Sequence, residues 1–121
     1  MIKLNEYLNL YKLAKNRIKS DVDYFKFENF QSDIVINSLK NEGISFKGMK
    51  VLDLGSGMGG YSLSLLDQGA CVVAVDMTQQ YFQNVKGIRF VVADAVKIPF
   101  ASNSFDFVFC SSLIEHVKNP D

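Results

Sequence analysis

Apolar residues at the start of the chain recur every three or four positions. Leu4, Tyr7, Leu8, Tyr11, Ala14 and Ile18 follow that period with lysines between them, which predicts an amphipathic helix. Phe27, Phe30, Ile34, Val35 and Leu39 repeat it, and Asn41-Glu42-Gly43 supplies a stop whose glycine can take the left-handed cap conformation. From Met49 the pattern changes to short apolar runs: Val51 to Leu54, Cys71 to Val75, Ile88 to Ala93 and Phe105 to Cys110. Runs this apolar suit strands covered on both faces. Tyr61 to Gln68, ended by Gly69, reads as a helix between the first two runs. A shorter helical or turn segment, Thr78 to Val85 closed by Gly87, separates the second from the third. Strands alternating with helices predict an α/β fold: a doubly wound, Rossmann-like parallel sheet preceded by two helices. The expected division is a helical segment over residues 1–48 and an α/β core over 49–121.

Composition narrows the class of partner. Thirteen basic residues balance thirteen acidic ones in 121 residues, so no general affinity for nucleic acid or an anionic membrane follows, and a small molecule is the expected partner. Lys3, Lys12, Lys15, Arg17 and Lys19 against Glu6 read as a solvated helix face. Cys71 and Cys110 each sit within an apolar strand pattern, far apart and without a C-x-x-C motif or Cys/His cluster, and read as reduced core thiols. No run is long enough to span a membrane and the first residues lack the apolar stretch of a signal peptide. A cytoplasmic address is therefore expected.

The chemistry concentrates where the predicted strands end. Val51-Leu52-Asp53-Leu54-Gly55-Ser56-Gly57-Met58-Gly59-Gly60 is an apolar strand that ends beside an acid and opens into a glycine-rich turn before a helix. Its glycines satisfy both G-x-G-x-G and G-x-G-x-x-G, so by itself the loop fits either an S-adenosylmethionine site or a dinucleotide site. Glycines allow the backbone a tight turn and close approach to a ligand, and the helix that follows is expected to aim free N–H groups at a negative group. The other strands end at Asp76, Asp94 and Ser111, along the edge where parallel α/β sheets bind ligands. Asp76 falls where a carboxylate accepts from ribose hydroxyls, and Asp94-Ala95 is placed to meet an adenine. Asp53 favours one cofactor over the other. A carboxylate two positions before the first glycine would repel a pyrophosphate and attract the ammonium and sulfonium of S-adenosylmethionine.

These stretches resemble the class I S-adenosylmethionine-dependent methyltransferases, particularly the broad small-molecule group with a D-x-G-x-G-x-G loop. Val92-Ala93-Asp94-Ala95 is similar to that family's adenine-proximal motif, Ile98-Pro99-Phe100 through Ser104-Phe105-Asp106 to its approach to the fourth strand, and Ser111-Ser112-Leu113-Ile114-Glu115-His116-Val117 to the loop after it. The resemblance covers Met49 to Asp121. It implies strand order 3-2-1-4, with S-adenosyl-L-methionine as cofactor and methyl transfer to an O, N or C nucleophile of a small acceptor. It also implies Asp53, Gly55, Ser56, Gly57 and Gly59 around the methionyl part, Asp76 and Met77 at the ribose and adenine edge, Asp94 and Ala95 at the adenine, and Ser111 under the sulfonium. The two leading helices would correspond to the family's N-terminal cover, with Tyr24, Phe25 and Phe27 as candidates to enclose the site.

Against each sharp reading stands a plainer one. A nicotinamide-dependent oxidoreductase is permitted by Gly60 and opposed by Asp53. A non-catalytic module that binds cofactor or a partner through the fourth strand is the other alternative. His116, the sole histidine, could accept a proton from an incoming nucleophile, but it has no companion ligand and a structural role is preferred, as it is for Asp106. No metal site is expected, because Asp53, Asp76 and Asp94 would be spread along the strand ends. Asn119-Pro120-Asp121 reads as a helix start, from which a longer domain is expected, or self-association that covers the fourth strand.

Overall fold

A computed structural model describes residues 4–16, 20–83 and 86–110. Two helices, α1 (Leu4–Asn16) and α2 (Asp21–Asn41), precede β1 (Lys50–Leu54), α3 (Gly60–Asp67), β2 (Cys71–Asp76), β3 (Arg89–Val92) and β4 (Phe107–Phe109). The strands form one parallel sheet in the order β3-β2-β1-β4, as the resemblance implies.

Local chemistry sets the boundaries of α2. Ser20, in extended conformation, accepts from the Asp23 N–H at 3.1 Å and donates to its carboxylate at 2.9 Å, which satisfies a free donor of the first turn. At the other end Gly43 has φ 98° and donates to the Lys40 carbonyl, the left-handed stop expected from the sequence.

One hydrophobic core joins α2 and α3 to the sheet. Ile36, Phe46, Val51, Leu65, Ala70 and Val72 are buried together, and Phe107 and Phe109 pack against them from β4. Phe46 meets Phe107 edge to face at 5.4 Å between ring centres. Each fully buried aliphatic side chain of this kind stabilises by roughly 1.5–3 kcal/mol.

Of the two forms expected for Thr78–Val85, the described part takes the turn, because Thr78 Oγ1 accepts from Gln80 N–H and the Gln79 carbonyl from Phe82 N–H, local bonds that compete with a helix. Other expectations are corrected. β3 and β4 are shorter than their apolar runs and, among the described residues, are edge strands paired along one side only. They are not covered on both faces, since Val92 and Val108 are 59% and 52% exposed. Cys71 and Cys110 are free and exposed, not core, because each sits at a strand terminus where the covering layers end. Leu4, Leu8 and Tyr11 of α1 are also exposed. Asp106 is structural: its carboxylate accepts from Lys50 N–H at 2.9 Å and its own N–H donates to the Lys50 carbonyl, opening the β1–β4 pairing. Among the described residues no helix is long and apolar enough to cross a membrane.

Candidate functional site

The strand order places β1 at a switch point. The chain passes from β1 to β2 to β3 on one side and returns to β4 on the other, which opens a crevice beyond the carboxyl end of β1. The glycine loop fills the start of that crevice. Gly55, Gly57 and Gly59 have φ of 75°, 54° and 94°, values that side chains resist. A Cβ at Gly57 would meet nothing within 4 Å, so this glycine faces open space; one at Gly59 would lie 2.7 Å from the Phe82 ring.

The N–H groups of the loop's four glycines and of Ser56 are committed inside the protein. Gly55 and Ser56 N–H groups both donate to the Val75 carbonyl, Gly57 N–H to the Asp76 carboxylate at 2.7 Å, and Gly59 N–H to the Ser56 carbonyl. Gly60 N–H, at the first position of α3, donates to Glu28 at 2.9 Å. The expected free N–H groups of α3 are thus not available at Gly60, because α2 provides a carboxylate cap that Gly59 cannot. Such a loop offers a phosphate few free donors.

Three carboxylates surround it. Asp53 is 1% exposed and accepts from Ser62 Oγ of α3 at 2.6 Å. Burial raises its pKa to about 6, with the nearby Asp76 charge adding to the rise and the Ser62 hydrogen bond opposing it. Glu28 is half-buried and raised to about 7, chiefly by burial, then by Asp53 and Asp76, against the N–H groups of Gly60 and Tyr61. No cation acts on either carboxylate among the described residues. Burial and the same carboxylates also push the Tyr61 phenol up.

The remaining predicted residues spread along the same edge. Asp76 spans the loop and strand β2, its second oxygen accepting from Met77 N–H at 2.7 Å; Met77 itself is exposed. Asp94 follows β3, is exposed, and closes a turn by accepting from Val96 N–H at 3.1 Å, with Ala95 half-buried inside that turn. Tyr24 is exposed against Phe27, and Phe25 is half-buried. Ser111 and His116 lie outside the described residues. So Asp53, the glycines and Asp76 come together, whereas Asp94 and Ala95 stand one strand further out. Among the described residues no group of three or more acidic, histidine or cysteine side chains could hold a metal ion.

Sequence reasoning missed the α2 contribution. Asn29 Nδ2 donates to the Gly60 carbonyl at 3.0 Å and to Ser64 Oγ, and Ser32 Oγ bonds both that carbonyl and Ser64. The signal was present as polar interruptions: Glu28, Asn29 and Ser32 on one helix face, and Ser62 and Ser64 inside the otherwise apolar α3.

A methyltransferase-domain family matches residues 52–121. The chain belongs to this family. Over 77 residues the domain is 38% identical to a demethylmenaquinone methyltransferase of Renibacterium salmoninarum, covering 60% of this chain and 32% of that protein. Over 85 residues it is 33% identical to a ubiquinone biosynthesis O-methyltransferase of Coxiella burnetii, covering 64% and 36%. The chain therefore spans about a third of the length of each of these relatives. Among solved structures, a putative methyltransferase from an antibiotic biosynthesis pathway of Anabaena variabilis is similar with TM-score 0.62 and 27% identity over 71% of this chain and 36% of that one. This methyltransferase domain thus carries the α/β fold expected from its sequence.

Proposed function

We propose that this domain binds S-adenosylmethionine in the crevice beyond β1 and β2 and serves methyl transfer to an O, N or C nucleophile of a small molecule. The observation that carries the reading is the pairing of a donor-poor glycine loop with Glu28, Asp53 and Asp76, a setting that suits a cationic ligand and opposes a pyrophosphate. The dinucleotide alternative loses its footing there.

The residues present fit the cofactor. Ser56 Oγ is buried with no hydrogen-bond partner among the described residues, and Gly57 faces open space. Gly55, Ser56, Gly57 and Gly59 with Asp53 would hold the methionyl part, Asp76 and Met77 the ribose and adenine edge, and Asp94 with Ala95 the adenine. Ser111 belongs to the same reading from its place in the sequence. When bound, the sulfonium supplies an activated methyl group and a good leaving group. The protein's work is then to orient and to exclude water: α2 and α3, locked at Gly60, hold the loop fixed, and Phe82 closes over Gly59. Residues 1–48 act as cover in this reading, and the free cysteines suit a reducing, cytoplasmic compartment.

Calorimetry with S-adenosylhomocysteine and with NAD tests the assignment. Binding of the homocysteine compound with no detectable NAD binding is expected; tight NAD binding with none of the other would sink it.

A further inference from the structure

The cap on α3 comes from a neighbouring helix, and it is charged. Gly59 has no side chain to cap α3, and Glu28 of α2 takes the Gly60 N–H in its place. The approach is too close for any side chain at Gly60, where a Cβ would lie 2.7 Å from the Asn29 nitrogen and 2.9 Å from the Glu28 backbone. Glu28 is thereby pinned at the mouth of the glycine loop, half-buried and in the field of Asp53 and Asp76. An uncharged cap such as glutamine or serine would satisfy the same N–H without the electrostatic cost of a third carboxylate. A carboxylate at that place gains when a cation arrives, and none of the described side chains supplies one. It also retains acceptor capacity beyond the cap, since an ionised carboxyl offers about four lone-pair sites.

We propose that Glu28 receives the ammonium of the cofactor's amino-acid end, reaching over the start of α3 from the helical cover. The inference rests on the S-adenosylmethionine reading above and adds a recognition residue outside the glycine loop. It gives α2 a part in choosing the ligand as well as in covering it. The charge of Glu28, more than its shape, separates a ligand that carries the amino-acid end from one that lacks it.

Two ligands isolate that charge. S-adenosylhomocysteine carries the amino-acid end, and methylthioadenosine keeps the adenosine and thioether without it. Calorimetry on the full chain should show a preference for the homocysteine compound. In Glu28→Gln, which keeps an acceptor for Gly60 N–H, homocysteine-compound affinity should fall roughly ten- to a hundredfold, the range of a lost charge-assisted hydrogen bond, with methylthioadenosine changed less than about twofold. Glu28→Asp, which keeps the charge, should retain more of the preference than Glu28→Gln. A Glu28→Gln protein that weakens both ligands equally, keeps the preference or does not fold would make Glu28 a structural cap and overturn the inference. Wild-type protein that binds neither compound would instead remove the cofactor reading itself.

Discussion

The inner strands β1 and β2 and the outer strands β3 and β4 are similarly apolar in sequence and differently placed. Val51, Leu52, Val72, Ala74 and Val75 are almost fully buried, whereas Val92 on β3 and Val108 on β4 are more than half exposed. Position in the sheet, not composition, sets that difference. It extends to chemistry. Asp53 inside β1 is desolvated and titrates high, while Asp94 beyond β3 is exposed and spends its carboxylate on its own turn. The inner pair, with α2 and α3 packed on it, builds the charged floor of the crevice. The outer pair frames it.

The largest effect should come from the inner region's core. Leu65 is fully buried where α3 meets β1 and β2, so Leu65→Ala removes packing that the fixed helices cannot refill. A loss of about 3 kcal/mol in urea unfolding is expected. A loss below about 1 kcal/mol would mean that this region is no better packed than the edges, and the comparison would fail.

Gly60→Ala tests the α2–α3 contact next. Its new methyl meets α2 backbone, which cannot swing aside as a side chain can, and a cost of about 2 kcal/mol is expected. Gly57→Ala, with open space around it, should lose only about 1 kcal/mol to its left-handed backbone while intruding on the crevice. The two variants therefore separate stability from binding: the first shifts the unfolding midpoint more, the second weakens S-adenosylhomocysteine more. Equal effects on both measurements would show that the loop and the helix contact are one unit.

Much of this division is legible in the sequence. The change from helical period to short apolar runs at Met49 marks the sheet, and Gly43 marks the end of α2, because both depend on local backbone chemistry. The acid at each inner strand end and the glycine loop identify the crevice for the same reason. What could not be read are contacts between distant segments. Glu28 lies 32 residues before the N–H it caps, and its helix face looks like an ordinary polar interruption until α2 is laid on α3. The availability of loop donors is lost for that reason too, since Val75, Asp76 and Glu28 take them from other elements. Edge exposure of β3 and β4 depends on sheet order, which apolar runs do not encode.

The raised carboxyls of the inner region predict an unusual pH dependence. Asp53 and Glu28 bind their protons more tightly folded, at about 6 and about 7, than at their ordinary values of 3.8 and 4.5. The folded state therefore holds more protons than the unfolded one between those limits, and stability falls as pH rises through the window. By calorimetry the unliganded protein should melt about 5 °C higher at pH 5 than at pH 8. Asp53→Asn should reduce that difference, since it removes one of the two titrations. A Tm that rises over the same interval would place the carboxyls in a more solvated setting than the structure does.

The smallest effect belongs to the outer edge. Val92→Thr keeps the branched shape that suits a strand and exchanges a methyl for a hydroxyl at a position 59% exposed, where water can hydrate it. Among the described residues β3 pairs only with β2, through a register that sets Val92 opposite Asp76, and the backbone ladder does not depend on the side chain exchanged. Unfolding free energy should change by less than about 0.5 kcal/mol. The same Val→Thr exchange at Val75, buried one residue before Asp76, would place an unhydrated hydroxyl in the core and cost about 1–3 kcal/mol. If urea unfolding gave the two substitutions equal costs, sheet position would not be the governing variable, because residue type and strand direction are held constant between them.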